Sequence, residues 1–210
     1  MRAVKRLQTD YLDVYLLHAV PHEATLGRVM DTLGDLKAQG KVRWIGISTN
    51  DVGITRRLMD LGEIAVVEVG FSLMELASQE LLDFAAEHTI GTLIRKPLAS
   101  GILSGKYSQG HVNLLPEDLR YQQLNSDRGR EVLERLRELS LLGDGEGRTM
   151  AQGALRFILD TPGVTAVIPG AKNRVQLEAN AGAADLPPLS EGERERAIAL
   201  AEAIGPFRAF

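Results

Sequence analysis

Polar side chains that could do chemistry stand where apolar segments of this sequence end. The apolar run YLDVYLLH, residues 11–18, ends in His18, and a neutral imidazole can hydrogen-bond a carbonyl oxygen or transfer a proton near physiological pH. A histidine at a strand end can equally serve packing through a single hydrogen bond, so both interpretations stay open at this point. Other apolar segments end in a further set of residues: Ser48, Phe71 and Ser72, Arg95 and Lys96, and Pro169 and Gly170.

Two glycine-containing stretches carry the residue types that bind phosphate. VIPGAKN, residues 167–173, runs from an apolar segment through Pro-Gly into a helix start, where Lys172 would lie beside backbone N–H groups. RKPLASGILSGK, residues 95–106, adds Lys96 and Lys106 around a glycine-rich loop. The alternative is an ordinary turn with solvated lysines. Two neighbouring strand ends that both offer amides and cations favour an extended phosphate ligand such as a dinucleotide.

No metal site is predicted from the sequence. The chain has no cysteine, which excludes disulfides, thiolate ligands and cysteine nucleophiles. His22, His88 and His111 show no metal-ligand spacing with one another or with carboxylates. GDGEG, residues 143–147, follows a predicted helix rather than a strand, so it is interpreted as a turn and not as a dinucleotide-binding loop.

The composition indicates a globular protein whose ligands are small molecules. Of 210 residues, 44% are hydrophobic and 25% are charged, and the net charge of −4 offers no general attraction to nucleic acid or anionic membranes. The basic N-terminus is followed by no apolar stretch of signal-peptide length, and no apolar run approaches the about 20 residues of a membrane-spanning helix. We therefore expect a single cytoplasmic domain over residues 1–210 without nucleic-acid or membrane partners.

Strand-like and helix-like segments alternate five times along the chain. The predicted strands cover residues 11–17, 41–48, 64–72, 91–98 and 164–170, and the predicted helices cover residues 24–39, 50–62, 78–91, 149–163 and 173–183. This alternation predicts an α/β fold with a parallel sheet. Doubly wound sheets and barrels share the pattern. Both bind ligands at the carboxyl ends of their strands, where His18 and the lysines stand.

Two stretches interrupt the alternation. Residues 99–126 are rich in glycine and polar residues, and residues 127–143 then carry apolar side chains that fit one helical face. A loop of this length inside a compact domain is typical of an active-site cover. Near the C-terminus, a Pro-Pro pair and a Ser-x-x-Glu capping box at Ser190 and Glu193 predict a last, peripheral helix within residues 186–206.

Four segments of this sequence resemble, in order and spacing, the later part of the aldo-keto reductases. They are RLQTDYLDVYLLHAV, LKAQGKVRWIGIST, LLDFAAEHTIGTLIRKPLASGILSGKY and ALRFILDTPGVTAVIPGAKNRVQLEAN. The resemblance runs from Lys5 to about Leu186, and four motifs in the right order make it specific. It implies a partial (β/α)8 TIM barrel of about five βα units plus a C-terminal helix. It also implies an NAD(P)H-dependent oxidoreductase that reduces aldehydes or ketones.

The resemblance implies roles for individual residues. His18 stands where the family's catalytic histidine orients the substrate carbonyl. Ser48 and Glu68 stand where the family binds the nicotinamide carboxamide, although the family has a glutamine at the position of Glu68. The remaining cofactor positions fall into the segment that wraps the pyrophosphate and the segment that holds the adenosine: Pro97, Leu98, Ala99 and Lys106, and Gly170, Lys172, Gln176 and Asn180. Lys172 favours NADPH, with NADH as the alternative.

Some family residues have no match in this chain. After Ser48 the family usually has Asn, whereas Thr49 comes first here and Asn50 follows. Arg95 replaces an aromatic residue, and Ala179 replaces a frequent glutamate. The family's catalytic Asp, Tyr and Lys come from its first three βα units, which precede the matched portion.

The resemblance therefore implies an N-terminally truncated domain. Five of eight strands cannot close such a barrel, so the first and last strands would present unpaired edges. We expect either a complementing N-terminal chain or a homo-oligomer. The first alternative function is a non-catalytic nucleotide-binding or assembly module derived from the same family. The second, a lyase or isomerase on an unrelated phosphate-binding barrel, has no reason to reproduce all four segments.

Overall fold

A computed structural model describes residues 2–107, 114–143 and 147–207 of the chain. His111 and most of the GDGEG stretch lie outside these described residues. The five strands are β1 Leu12–Leu17, β2 Val42–Ser48, β3 Val66–Gly70, β4 Gly91–Arg95 and β5 Ala166–Val167. The α-helices are α1 Arg2–Leu7, α2 Glu23–Ala38, α3 Val52–Met59, α4 Gln79–Glu87, α5 Tyr121–Asn125, α6 Asp127–Arg135, α7 Met150–Leu159, α8 Arg174–Ala181 and α9 Glu191–Ile204. Three 3-10 helices cover Ala99–Ser104, Glu138–Gly143 and Gly182–Asp185.

The strands form one sheet whose order follows the chain, β1-β2-β3-β4-β5. β1 and β3 both pair in parallel with β2, and Ser48 lies opposite Glu68 in the second pair. A doubly wound sheet reverses its strand order at a switch point, whereas a barrel adds each new strand beside the previous one. The sequential order therefore confirms the α/β prediction and decides in favour of part of a (β/α)8 barrel.

The described chain forms two compact units, and the first comprises Met1–Gly70, Ser78–Ile94 and Pro162–Ala166. Within it, α2 buries Leu26, Met30 and Leu33, which share one face at helical spacing. Gly40 has a φ of 70°, a conformation that glycine adopts without strain, and it lies just beyond the end of α2 as predicted. The expectation of a single domain over residues 1–210 stays a prediction.

Side chains attach the start of β5 within the first unit. Thr92 Oγ1 donates to the Gly163 carbonyl over 2.7 Å and accepts from the Thr165 N–H over 2.8 Å. The Thr92 N–H donates in turn to Thr165 Oγ1 over 3.0 Å. β5 is shorter than the predicted strand 164–170, because Pro169 has no N–H to donate to a ladder.

The second unit comprises Phe71–Ala77, Arg95–Thr161 and Val167–Phe210. Its core stacks the rings of Phe71 and Phe157, whose centroids lie 6.4 Å apart. The apolar side chains predicted to share one face of residues 127–143 are buried, namely Val132, Leu133, Leu136, Leu139 and Leu142. The helix there breaks into α6 and a 3-10 segment. The capping box at Ser190 and Glu193 is present at the start of α9.

None of the helices in the described part of the chain is both long enough and apolar enough to cross a bilayer.

Candidate functional site

Two predicted site residues lie at the carboxyl ends of strands in the first unit, and a third lies within a strand. His18 follows β1 directly and is exposed. Ser48 is the last residue of β2, and Glu68 lies in β3. The strand-end position of His18 agrees with the sequence analysis, and its catalytic role stays a prediction.

Ser48 and Glu68 are bonded to each other. The Ser48 hydroxyl donates to Glu68 Oε2 over 2.5 Å, which commits the serine proton to the carboxylate. Asn50 anchors the same strand ends, because its Oδ1 accepts from the Gly70 N–H over 2.9 Å and its Nδ2 donates to the Gly70 carbonyl. A ligand at this pair would therefore meet hydrogen-bond acceptors, which suit a donor such as the NH₂ of a carboxamide.

The second unit contains a cavity of about 730 Å³, a size within the usual range for small-molecule sites. Among the described residues, its lining carries four cationic side chains and no carboxylate. The lining residues are Lys96, Pro97, Leu98, Ser100, Gly101, Ser104, Lys106, Tyr107, Arg120, Ala151, Gly170, Ala171, Lys172, Gln176, Ala179 and Asn180. The cavity therefore combines apolar walls with positive charge, which is suited to an anionic ligand that also has a flat apolar part.

The loop after β4 forms part of the cavity wall, and its backbone is strained. Lys96, Ala99 and Ser100 have φ values of 53°, 48° and 59°, in a region that costs a non-glycine residue about 1–3 kcal/mol. Gly101 follows at φ 94°, and a Cβ there would lie 3.3 Å from Arg120 Nη1. Strained backbone of this kind persists only where the surrounding structure imposes it, and it is found most often at ligand sites.

Arg120 is held in the cavity wall by Asp118, two residues before it. Arg120 Nε donates to Asp118 Oδ1 over 2.8 Å, and Nη2 donates to Oδ2 over 2.5 Å. A third donor, Nη1, reaches the carbonyl of Ser100 over 3.2 Å. This forked arrangement fixes the plane of the guanidinium, which is the side chain best suited to bidentate recognition of phosphate.

The charges around Arg120 reinforce one another. Hydrogen bonds from Arg120 hold the pKa of Asp118 well below its usual range, and the positive charge of Lys172 lowers it further. The same contact with Asp118 raises the pKa of Arg120. Asp118 and Arg120 are therefore both charged at neutral pH.

Side chains of nearby residues accept hydrogen bonds from the backbone N–H groups at the start of α8. Asn173 caps the helix by accepting from the Gln176 N–H over 2.9 Å, and Gln176 Oε1 accepts from the Lys172 N–H over 2.8 Å. One turn later, Asn180 Nδ2 donates to the Gly170 carbonyl over 3.4 Å. Gln176 and Asn180 thus hold the Gly170–Lys172 loop at the positive end of a helix dipole.

The structure brings together in this cavity most of the cofactor residues that the sequence analysis named. They are Pro97, Leu98, Lys106, Gly170, Lys172, Gln176 and Asn180. Ala99 is buried in the same loop but is not part of the lining. Their contact with a cofactor stays a prediction, as does that of Ser48 and Glu68. Within the described ranges, no group of His, Asp and Glu side chains could hold a metal ion.

Tyr107, Asp118 and Arg120 were not predicted as site residues from the sequence. The one available signal was the length of the loop between β4 and the later helices, which indicates function but names no residue. An Asp and an Arg two positions apart match no helical or strand pairing rule, so their contact could not be predicted from spacing.

Comparison with known proteins gives consistent matches over nearly the whole chain. A family model described as the aldo/keto reductase family matches residues 1–202. The uncharacterized oxidoreductase YqkF of Bacillus subtilis is 27% identical over 91% of this chain and 61% of its own length. The L-glyceraldehyde 3-phosphate reductase of Escherichia coli O157:H7 is 28% identical over 85% of this chain and 55% of its own length. The chain thus spans less than two thirds of these curated relatives.

Solved structures show the same likeness. An aldo-keto reductase from Bacillus halodurans in its apo form superposes with a TM-score of 0.76 at 29% identity, covering 98% of this chain and 67% of that structure. An aldo/keto reductase from Klebsiella pneumoniae, solved in complex with NADP and acetate, gives a TM-score of 0.69 at 26% identity over 98% of this chain and 63% of that one.

Proposed function

This chain belongs to the aldo/keto reductase family, and we propose that it is the cofactor-binding portion of an NAD(P)H-dependent reductase of aldehydes or ketones. The observation that carries the proposal is the cavity of the second unit, in which Lys106, Arg120 and Lys172 line one space beside the start of α8. Its volume of about 730 Å³ and its cationic wall fit the adenosine and phosphate groups of a dinucleotide.

The phosphates of the cofactor would be held by this chain's fixed cations and amides. Arg120 offers the pyrophosphate a guanidinium whose orientation Asp118 already sets, so little side-chain entropy is lost on binding. Lys106 lines the same cavity. Lys172 at the start of α8 is placed to meet a 2′-phosphate, which favours NADPH over NADH. Among the relatives, one from Escherichia coli is named an NADH-specific methylglyoxal reductase, so NADH is the alternative cofactor.

In the first unit, His18, Ser48 and Glu68 are the residues that we assign to the substrate and to the nicotinamide group. We assign the Ser48 and Glu68 pair to the NH₂ group of the nicotinamide carboxamide, because that pair presents acceptor oxygens. We assign His18 to the substrate carbonyl, because a neutral imidazole can donate a hydrogen bond to that oxygen as negative charge develops on it. When bound, NAD(P)H supplies the hydride.

Reduction also requires a proton donor for the carbonyl oxygen. By the family resemblance, a tyrosine with an Asp and a Lys performs this step, and the resemblance places those three residues in βα units that precede the matched portion. We propose that a complementing N-terminal chain supplies them. A homo-oligomer is the alternative partner for the unpaired edges of the sheet, and it would leave the chain without these three residues. The small-molecule carbonyl substrate, the cytoplasmic location and the single domain remain part of this proposal.

The proposal is tested by titrating the chain with NADPH while cofactor fluorescence and carbonyl reduction are followed separately. We expect binding in the micromolar range without turnover by the chain alone, and turnover after a complementing N-terminal segment is added. Absence of NADPH and NADH binding by the folded chain would contradict the proposed function.

A second candidate is a non-catalytic nucleotide-binding or assembly module. It is favoured by a relative named a probable voltage-gated potassium channel subunit beta in Arabidopsis thaliana, 30% identical over 89% of this chain and 60% of its own length. NADPH binding that persists without turnover in the completed protein would support this candidate. Turnover would exclude it.

Lys172→Met is expected to separate the two cofactors. Loss of the ammonium should weaken NADPH binding by about 10-fold, because a charge-assisted contact with phosphate is worth about 1.5–3 kcal/mol and Lys172 is exposed to solvent. NADH lacks the 2′-phosphate, so its dissociation constant should change by less than about 2-fold. Calorimetric titrations of both cofactors measure the effect. Equal losses for the two cofactors would place Lys172 elsewhere on the ligand.

A further inference from the structure

Tyr107 carries a polar group for which the described chain provides no partner. The side chain is only 1% exposed, and it forms part of the cavity wall in the second unit. Among the described residues, none makes a hydrogen bond with its hydroxyl oxygen. Buried polar groups are paired as a rule, because a buried hydroxyl without a partner costs stability. The hydroxyl is therefore a candidate for a contact that forms with a ligand.

The charged groups near the phenol are already engaged. Arg120 and Asp118 both lie close enough to Tyr107 to act on it electrostatically, yet the guanidinium donates to Asp118 and to the Ser100 carbonyl. Burial raises the pKa of Tyr107, an effect that Arg120 opposes and Asp118 reinforces. The hydroxyl is consequently protonated at neutral pH and can act as a donor.

We propose that the Tyr107 hydroxyl is a ligand-binding group that donates a hydrogen bond to a phosphate oxygen when a dinucleotide occupies the cavity. This inference rests on the proposed function. The surroundings select an anionic acceptor, since Lys106 Nζ lies 5.5 Å from the centre of the Tyr107 ring and Arg120 lines the same wall. Binding would thus satisfy a hydroxyl that lacks a partner in the described part of the unliganded chain.

Tyr107→Phe tests the proposal, because it removes the oxygen and keeps the ring. We expect two effects of opposite sign. The unliganded variant should melt about 2 °C higher, since an unpaired buried hydroxyl has been removed. Its dissociation constant for NADPH, measured by calorimetry, should rise about 10-fold, since the contact with phosphate is lost. Tyr121→Phe is the matched control, because Tyr121 is outside the cavity lining, and it should leave the dissociation constant unchanged.

The outcomes separate this inference from the proposed function. If the unsubstituted chain binds neither NADPH nor NADH, the proposed function fails and the inference falls with it. If the unsubstituted chain binds NADPH and Tyr107→Phe binds it equally well, only the inference is overturned. A lower melting temperature with unchanged binding would likewise overturn it, by showing that the hydroxyl has a partner in the unliganded chain.

A spectroscopic measurement on the unsubstituted chain covers the case in which Tyr107→Phe does not fold. The chain has 4 tyrosines, so ¹³Cζ-tyrosine labelling gives few resonances, and Tyr→Phe variants of Tyr11, Tyr15 and Tyr121 assign the fourth to Tyr107. Saturation with NADPH should shift the Tyr107 resonance more than the other three. An unmoved Tyr107 resonance in the NADPH-bound chain would overturn the proposal.

Discussion

Arg120→Met is expected to weaken the binding of both NADPH and NADH by about 100-fold, because hydrogen bonds between charged groups are worth about 1.5–3 kcal/mol. The variant also leaves Asp118 without its partner. An unpaired carboxylate close to the pyrophosphate would then repel it. Both cofactors should be affected alike, since both carry the pyrophosphate. Calorimetric titration of each cofactor measures the two dissociation constants.

A double-mutant cycle separates the two contributions to this loss. Asp118→Asn alone should weaken NADPH binding by about 5-fold, because Arg120 keeps its charge and loses its bidentate anchor. In the double variant with Arg120→Met, no unpaired carboxylate remains. Its total loss should therefore be smaller than the product of the two single losses.

Arg130→Met provides the matched control for the Arg120 variant. Arg130 is an exposed arginine of α6 that pairs with Asp127, and it is outside the cavity lining. Its substitution should change the dissociation constant of NADPH by less than about 2-fold, since exposed ion pairs contribute little. A loss at Arg120 no larger than the loss at Arg130 would exclude Arg120 from the cofactor site.

His18→Ala is expected to lower kcat for carbonyl reduction by about 100- to 10,000-fold in the completed protein, that is, this chain together with a complementing N-terminal segment. Hydrogen bonding or proton transfer by a positioned side chain contributes a factor of this size. The dissociation constant of NADPH should stay within about 2-fold, because His18 is not among the residues that line the cavity of the proposed phosphate contacts. Stopped-flow turnover and fluorescence titration measure the two quantities.

His22→Ala distinguishes chemistry from a general effect of losing an imidazole near this strand. His22 Nδ1 accepts from the Ala24 N–H over 3.2 Å and caps α2. Its loss should lower the free energy of unfolding by about 1 kcal/mol and leave kcat nearly unchanged. Equal losses of kcat and cofactor affinity in His18→Ala would make that histidine structural.

The local elements of this protein could be predicted because their signals are short in range. Alternating strand and helix segments, the glycine that follows α2 and the Ser190 capping box each depend on residues within about one helical turn. The same applies to the start of α8, where Lys172, Asn173 and Gln176 are sequence neighbours. The segment similarity then placed the chain in its family, which no periodicity could have done.

The predicted strand boundaries were less accurate where tertiary contacts compete with the local conformational preference of the residues. The strand predicted over residues 164–170 shortens to β5 Ala166–Val167, and the strand predicted over residues 91–98 ends at Arg95. In the second case, the chain turns into left-handed backbone at Lys96. A non-glycine residue in that conformation has no local sequence signature, because the surrounding structure imposes it.

The α/β class, the strand ends and the cationic loops that could bind phosphate all follow from the sequence alone. The tertiary structure adds three features: the sequential order of the strands, the hydrogen bond that Ser48 donates to Glu68, and the contacts with Asp118 and the Ser100 carbonyl that hold Arg120. The physical reason is the range of the interactions. Hydrophobic periodicity and helix capping depend on neighbouring residues. The contact of Arg120 with the loop after β4, in contrast, depends on packing between residues far apart in the chain.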